Sequence, residues 1–312
     1  YIPDEVNFLN AGEPALPHIN RSIIIPDKGA SDFTIIDSNA KVYSDFNASP
    51  SKGNIKRNID ISKINYQFGE VYSLDKYYPE QIVELRDPYI LRDFRGQVVQ
   101  FNPIQFNPVK NTLNVIYELT VKISFDSKPS KNEFDRSMEG KNSLDFHNIY
   151  QNQFINYTQT RYTPISEDGE MLIICYDSFM SSMDEFVDWK NQKGIKTTMV
   201  AKTEAGSSAS SIKNYVQSFY NANNLTYLLL VGDKTQIPTF SVGGGWSAGE
   251  SDVSYAYISG NDSYPEFLVG RLSAENTSHV NTVVERTIEY ERDAVASGSW
   301  YHKGITIASN EG

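Results

Sequence analysis

The sequence predicts a β-rich first half followed by an α/β unit with an open, mostly parallel sheet. Three observations lead there. Leu113 to Phe125 alternates apolar and polar residues with period two, as a half-buried strand does. Met171-Leu172-Ile173-Ile174-Cys175 and Tyr227-Leu228-Leu229-Leu230-Val231 are continuous apolar runs, the signature of parallel strands covered on both faces. From Glu170 on, such runs alternate with segments of helical period, and the texture changes between about residues 126 and 165.

In the first half, short strand-like runs are divided by turns: Ser22 to Pro26, Phe33 to Ile36, Lys41 to Tyr43, Gln97 to Phe101, and the long run ending at Phe125. Pro103, Pro108 and Lys110-Asn111 punctuate the approach to that last run, and Lys110-Asn111 suits a hairpin connection. Residues 126–140 are polar and aperiodic, which predicts an exposed linker, and Leu144 to Tyr157 suits a short helix. Thr158 to Pro164 then reads as a loop open to proteolysis.

In the second half, the strand ending at Cys175 precedes a helix carrying Phe186, Val187 and Trp189, closed by Lys193-Gly194. Thr197 to Val200 is a second strand, and Ile212, Tyr215, Val216 and Phe219 share one face of a second helix. Thr226 to Val231 is a central strand ending in Gly232-Asp233. Phe267 to Leu272 is a further strand, Val280 to Tyr290 a helix capped at Ser278, and Lys303 to Ser309 a last strand. The β-α-β-α-β order gives the parallel sheet.

At 312 residues the chain can hold two domains. Its net charge of −11 is spread along the chain, which argues against nucleic acid as a partner. One cysteine excludes an internal disulfide scaffold, and the longest apolar runs fall far short of the roughly 20 residues of a membrane span. A first residue Tyr1 in place of Met suggests a leader that was trimmed or left off.

Chemistry on an open parallel sheet gathers outside the carboxyl ends of its strands, where Asp177, Asp233 and Glu311 follow three of them. Asp233 is equally well read as a turn or cap carboxylate. Cys175 lies in an apolar run with no basic neighbour in sequence, so it reads as a small hydrophobe. His18, His147, His279 and His302 lack zinc spacing, and Gly243-Gly244-Gly245 lacks the Lys-Ser/Thr of a phosphate loop. Asp252, Asn261, Asp262 and Glu266 offer hard oxygen ligands within one irregular stretch.

Longer motifs carry a family resemblance. Asp87-Pro88-Tyr89-Ile90-Leu91-Arg92-Asp93-Phe94-Arg95-Gly96, Arg161-Tyr162-Thr163-Pro164, Phe186-Val187-Asp188-Trp189-Lys190, Tyr227 to Lys234, Gly260-Asn261-Asp262-Ser263-Tyr264 and Ala308-Ser309-Asn310-Glu311-Gly312 occur in an order that resembles the gingipain family of secreted cysteine peptidases, nearest its arginine-specific branch. The resemblance implies a β-rich inhibitory prodomain over residues 1–161, with its linker from about 126 to 161, and the first part of a caspase-like catalytic domain over 162–312.

It further implies a Cys nucleophile and a His base lying beyond Gly312, with Glu311 orienting that His. Arg161-Tyr162 matches the maturation junction, and Lys56-Arg57 the inhibitory loop, with Arg57 as pseudosubstrate. Calcium is expected at Asp262 and Glu266. The implied partners are the rest of the catalytic domain, the prodomain's interface with it, and protein substrates; the implied location is secreted or on the bacterial outer surface. The alternative is a family-shaped protein without peptidase activity, serving as a surface binding module or secretion component.

Overall fold

The structure, a computed structural model, describes residues 2–56, 58–135, 144–158, 169–244, 248–293 and 298–306. Arg57, Arg161, Tyr162 and Glu311 lie outside the described residues. The chain divides into two compact units, one of residues 1–88 and 97–131 with 303–306, the other of residues 89–96 and 132–302.

The first unit is antiparallel β. Its elements are β1 (Val6–Asn7), β2 (Pro17–Ile24), β3 (Ser31–Tyr43), β4 (Val83–Leu85), with β5 (Tyr89–Leu91) belonging to the second unit, then β6 (Phe94–Phe101), β7 (Ile104–Asn107) and β8 (Thr112–Phe125). One sheet runs β1-β2-β6-β4, the other β3-β8-β7. The two runs expected at Phe33 to Ile36 and Lys41 to Tyr43 are one strand, β3. The polar residues between them are carried because β3 pairs with β8 along its whole length, and bulges at Ile35/Asp37 and Asn39/Ala40 absorb the register change. The expected β7–β8 turn forms with Asn111 at φ +51°, and the Asn107 side chain accepts from the backbone of Val109 and Lys110. Leu16, Phe106 and Leu113 form the local core.

The second unit opens with the β5–β6 hairpin, paired from Tyr89↔Gly96 to Leu91↔Phe94. It continues through α1 (Leu144–Gln153), β9 (Glu170–Cys175), α2 (Asp184–Gln192), β10 (Lys196–Ala201), the short α3 (Lys202–Ala205), α4 (Ala209–Ala222) and β11 (Leu225–Val231). The hairpin of β12 (Phe240–Val242) and β13 (Gly249–Ser251), β14 (Leu268–Leu272) and α5 (Thr277–Glu291) complete it. The main sheet has the order β10-β9-β11-β14, and every pairing is parallel.

The continuous apolar runs follow from burial on both faces. Leu172 and Ile174 of β9 face a core shared with Ile212 and Val216 of α4, while Met171, Ile173 and Cys175 face Phe186 of α2 and Val280, Val284 and Ile288 of α5. Two expectations are corrected. Asn276, not Ser278, caps α5, its side chain accepting from the backbone N–H of His279. Residues 303–306 form no strand, and the rest of the last expected strand lies outside the described residues.

Candidate functional site

Three strands of the parallel sheet deliver their carboxyl ends side by side. β9 ends at Cys175 and β11 at Val231, which are paired, and Val231 also pairs with Leu272, the end of β14. Beyond β11 the chain turns at Gly232, φ +134°, a conformation that costs glycine least. Asp233 follows: its backbone N–H donates to Ala274 O and its carboxylate accepts from Ser273 Oγ at 3.0 Å. The backbone N–H of Lys234 and the Ser273 hydroxyl hold this carboxyl below the usual range. Asp177 is likewise lowered, by the Thr203 hydroxyl that donates to it. Both acids at this end thus stay ionised and already serve as local anchors.

Arg271 fixes the loop over the same edge. Its Nε and Nη2 form a two-point pair with Asp252 at 2.7 Å each, and Nη1 donates to Gly232 O at 2.7 Å and Ile237 O at 3.0 Å. Asp252 is therefore occupied by a guanidinium and is not a free oxygen ligand.

Cys175 is fully buried, and burial, with smaller pushes from Asp177 and Asp184, raises its thiol to about 12. A thiol held protonated in the core is no nucleophile. His147 is bonded to the Tyr157 hydroxyl, His279 lies at the α5 cap and His18 stacks on Phe8. No Cys–His pair forms among the described residues. No group of three or more His, Cys, Asp or Glu side chains able to hold a metal is found among them either. No described helix is long and apolar enough to cross a membrane.

Of the residues expected to matter, Lys56 is on an exposed loop whose carbonyl accepts from Ile59 N. Asp262 and Glu266 lie in the loop that leads into β14. Asp262 Oδ2 accepts from Ile90 N at 2.9 Å and from Asn132 Nδ2 at 3.4 Å, and Oδ1 accepts from Tyr264 N at 3.0 Å. Gly260, φ +74°, makes room for this carboxylate, since a Cβ there would lie 2.7 Å from its Oδ2. Glu266 is completely buried. Its Oε2 accepts from Ile258 N at 2.7 Å, its Oε1 has no hydrogen-bond partner, and burial pushes its carboxyl up to about 8.

Arg92, named in a motif but given no role by the sequence, is buried and hydrogen-bonded at the opposite, amino-terminal edge of the sheet. It occupies the two-residue turn of the β5–β6 hairpin at φ +48° and is 4 % exposed. Nη1 donates to Leu225 O at 2.6 Å and Glu266 O at 2.8 Å, and Nη2 to Asn224 Oδ1 at 2.8 Å. The guanidinium lies 4.6 Å from the Phe146 ring centre. Leu225 begins β11 and Glu266 precedes β14, so one cation ties together the carbonyls where two neighbouring strands start. Arg-Asp is not a turn signal, and nothing in the local sequence marks this arginine for burial.

A family model described as Peptidase family C25 matches residues 165–312, and one described as Propeptide_C25 matches residues 1–163. Gingipain R1 of Porphyromonas gingivalis is 38% identical over 313 residues, which cover 98% of this chain and 31% of that protein. Gingipain R2 of the same organism is 37% identical over 313 residues, covering 98% and 42%, and its Lys-gingipain is 21% identical over 333 residues, covering 98% and 18%. The chain thus spans less than half the length of these relatives. A solved complex of Porphyromonas gingivalis RgpB pro- and mature domains aligns at 36% identity with a TM-score of 0.45, covering 49% of this chain and 76% of that one.

Proposed function

The chain belongs to peptidase family C25, its propeptide preceding its peptidase segment, and on that premise we propose that it is the N-terminal part of the zymogen of a secreted bacterial cysteine endopeptidase that cuts after arginine. The observation that carries this is the alignment over 98% of the chain at 37–38% identity with gingipains R, against 21% with Lys-gingipain. The described residues hold no thiolate and no Cys–His pair, which fits a nucleophile and base supplied by the remainder of the catalytic domain. Glu311 orients the base. A carboxylate in the substrate pocket would take the arginine side chain in a two-point pair.

Residues 1–161 act as the inhibitory propeptide, Arg161-Tyr162 is the maturation bond, and Arg57, with Lys56 beside it, enters the substrate pocket. Calcium binds in the loop before β14 through Asp262 and Glu266, completed by backbone carbonyls. The buried, unpartnered Oε1 of Glu266 supports that reading, since a buried carboxylate oxygen is stabilised by a cation. When bound, the ion would supply positive charge and tie down the loop. A melting temperature that rises with added calcium and falls with chelator is expected; no change in either would remove the site.

The test of the functional reading uses full-length protein. Its processed form should hydrolyse an arginyl amide well and a lysyl amide poorly, with loss of turnover on thiol alkylation. Residues 1–312 alone should turn over neither. Turnover insensitive to thiol reagents, or a preference for the lysyl amide, would contradict it.

A further inference from the structure

The hairpin and the sheet edge described above come from opposite sides of the bond between Arg161 and Tyr162. Residues 89–96 and helix α1 lie on its N-terminal side, while Asn224, Leu225, Asp262 and Glu266 lie on its C-terminal side, yet all pack in one compact unit. We propose that Arg92 is a retention anchor: the β5–β6 turn keeps the propeptide bound to the peptidase subdomain after the junction is cut, at a site separate from the one that silences the enzyme. The identity of the junction rests on the functional reading above; the anchoring does not.

The chemistry of the contact favours slow release. Withdrawing Arg92 breaks its bonds to Leu225 O, Glu266 O and Asn224 Oδ1 together and returns a buried cation to water. The planar fork spans these acceptors at once, which an ammonium cannot do. A second grip, from Ile90 N to the Asp262 carboxylate at 2.9 Å, pins the strand leading into the turn. The two segments also share apolar contact, with the Tyr89 and Tyr264 rings stacked at 3.8 Å.

Position separates retention from inhibition. Leu225 opens β11, whereas Val231 and Asp233 close it at the end where the chemistry of such sheets gathers. Seven strand residues put about 20 Å between the two ends. Loss of Arg92 should therefore speed departure of the propeptide without changing the substrate pocket, and loss of Arg57 should relieve inhibition while speeding departure far less.

The experiment uses the full-length zymogen with a cleavage site for an unrelated protease placed between residues 159 and 168, so that a cut can be made even if Arg161 is not the natural one. After cutting, the dissociation rate of the propeptide is measured for wild type, Arg92→Lys, Arg92→Ala, Asn224→Ala and Arg57→Ala. Arg92→Ala should raise the rate about a hundredfold, Arg92→Lys and Asn224→Ala by smaller factors, and Arg57→Ala by far less than Arg92→Ala. Melting of the uncut zymogens identifies any variant that does not fold, and Asn224→Ala, on the other partner, then carries the test alone. Folded Arg92→Ala and Asn224→Ala complexes that dissociate at the wild-type rate would overturn the anchor. An Arg57→Ala complex that falls apart as fast as Arg92→Ala would overturn its separation from inhibition. Failure to hydrolyse arginyl amides would count against the functional reading and leave these rates interpretable.

Discussion

Lys190 and Glu291 show how a half-buried ion pair joins two helices. Lys190 Nζ in α2 lies 2.7 Å from Glu291 Oε1 in α5, and the Trp189 indole donates to the same carboxylate at 3.0 Å. Burial alone would raise the Glu291 carboxyl, but these hydrogen bonds and the Lys190 charge outweigh it and leave it below its ordinary value. The stabilisation is therefore complete above the unfolded value, about pH 4.3, and is lost as pH falls through the lower folded value. Lys190→Met should cost about 2 kcal/mol in denaturant melts near neutral pH, a loss that shrinks in acid. Cys175 makes the opposite case. With its thiol raised to about 12 in the core, it should resist alkylation in the native protein at pH 8 and react on unfolding. Cys175→Ala should cost about 1 kcal/mol and leave peptidase activity intact.

At the scale of elements, α5 depends on its start. Asn276 accepts from His279 N at 3.0 Å, and Asn276→Ala should lower stability by about 1 kcal/mol, measured by melting, with Ser278→Ala nearly neutral. The strands of the parallel sheet and the faces of α4 and α5 were legible because an element buried on both sides, or on one stripe, has to show it in the apolar pattern. The β7–β8 turn was legible for a local reason, since Lys110-Asn111 supplies a residue that tolerates positive φ. The β3–β8 ribbon was only half legible. Its pairing joins residues from Ser31 to Phe125, and the polar stretch at Asp37 to Asn39 gives no sign that a long partner holds it in a strand. The Arg92 turn was illegible altogether, because burial of a guanidinium depends on the Leu225 and Glu266 carbonyls, more than 130 residues away in sequence.

At the scale of the whole molecule, function was read from long motifs in order, and those motifs carry more than the chemistry present. The sheet end that should bear a catalytic site holds Asp177 and Asp233 as local anchors, and the one cysteine is sealed in the core. A chain built in this way presents a peptidase C25 segment folded together with part of its propeptide segment. The decisive property is whether the completed protein is a thiol enzyme for arginyl bonds. The most direct measurement treats the processed full-length protein with an alkylating arginyl inhibitor, follows arginyl amide turnover, and identifies the modified residue by peptide mass mapping. Stoichiometric loss of activity is expected, with the label on a cysteine beyond residue 312. Label on Cys175, or full activity in a protein that takes up no label, would contradict it.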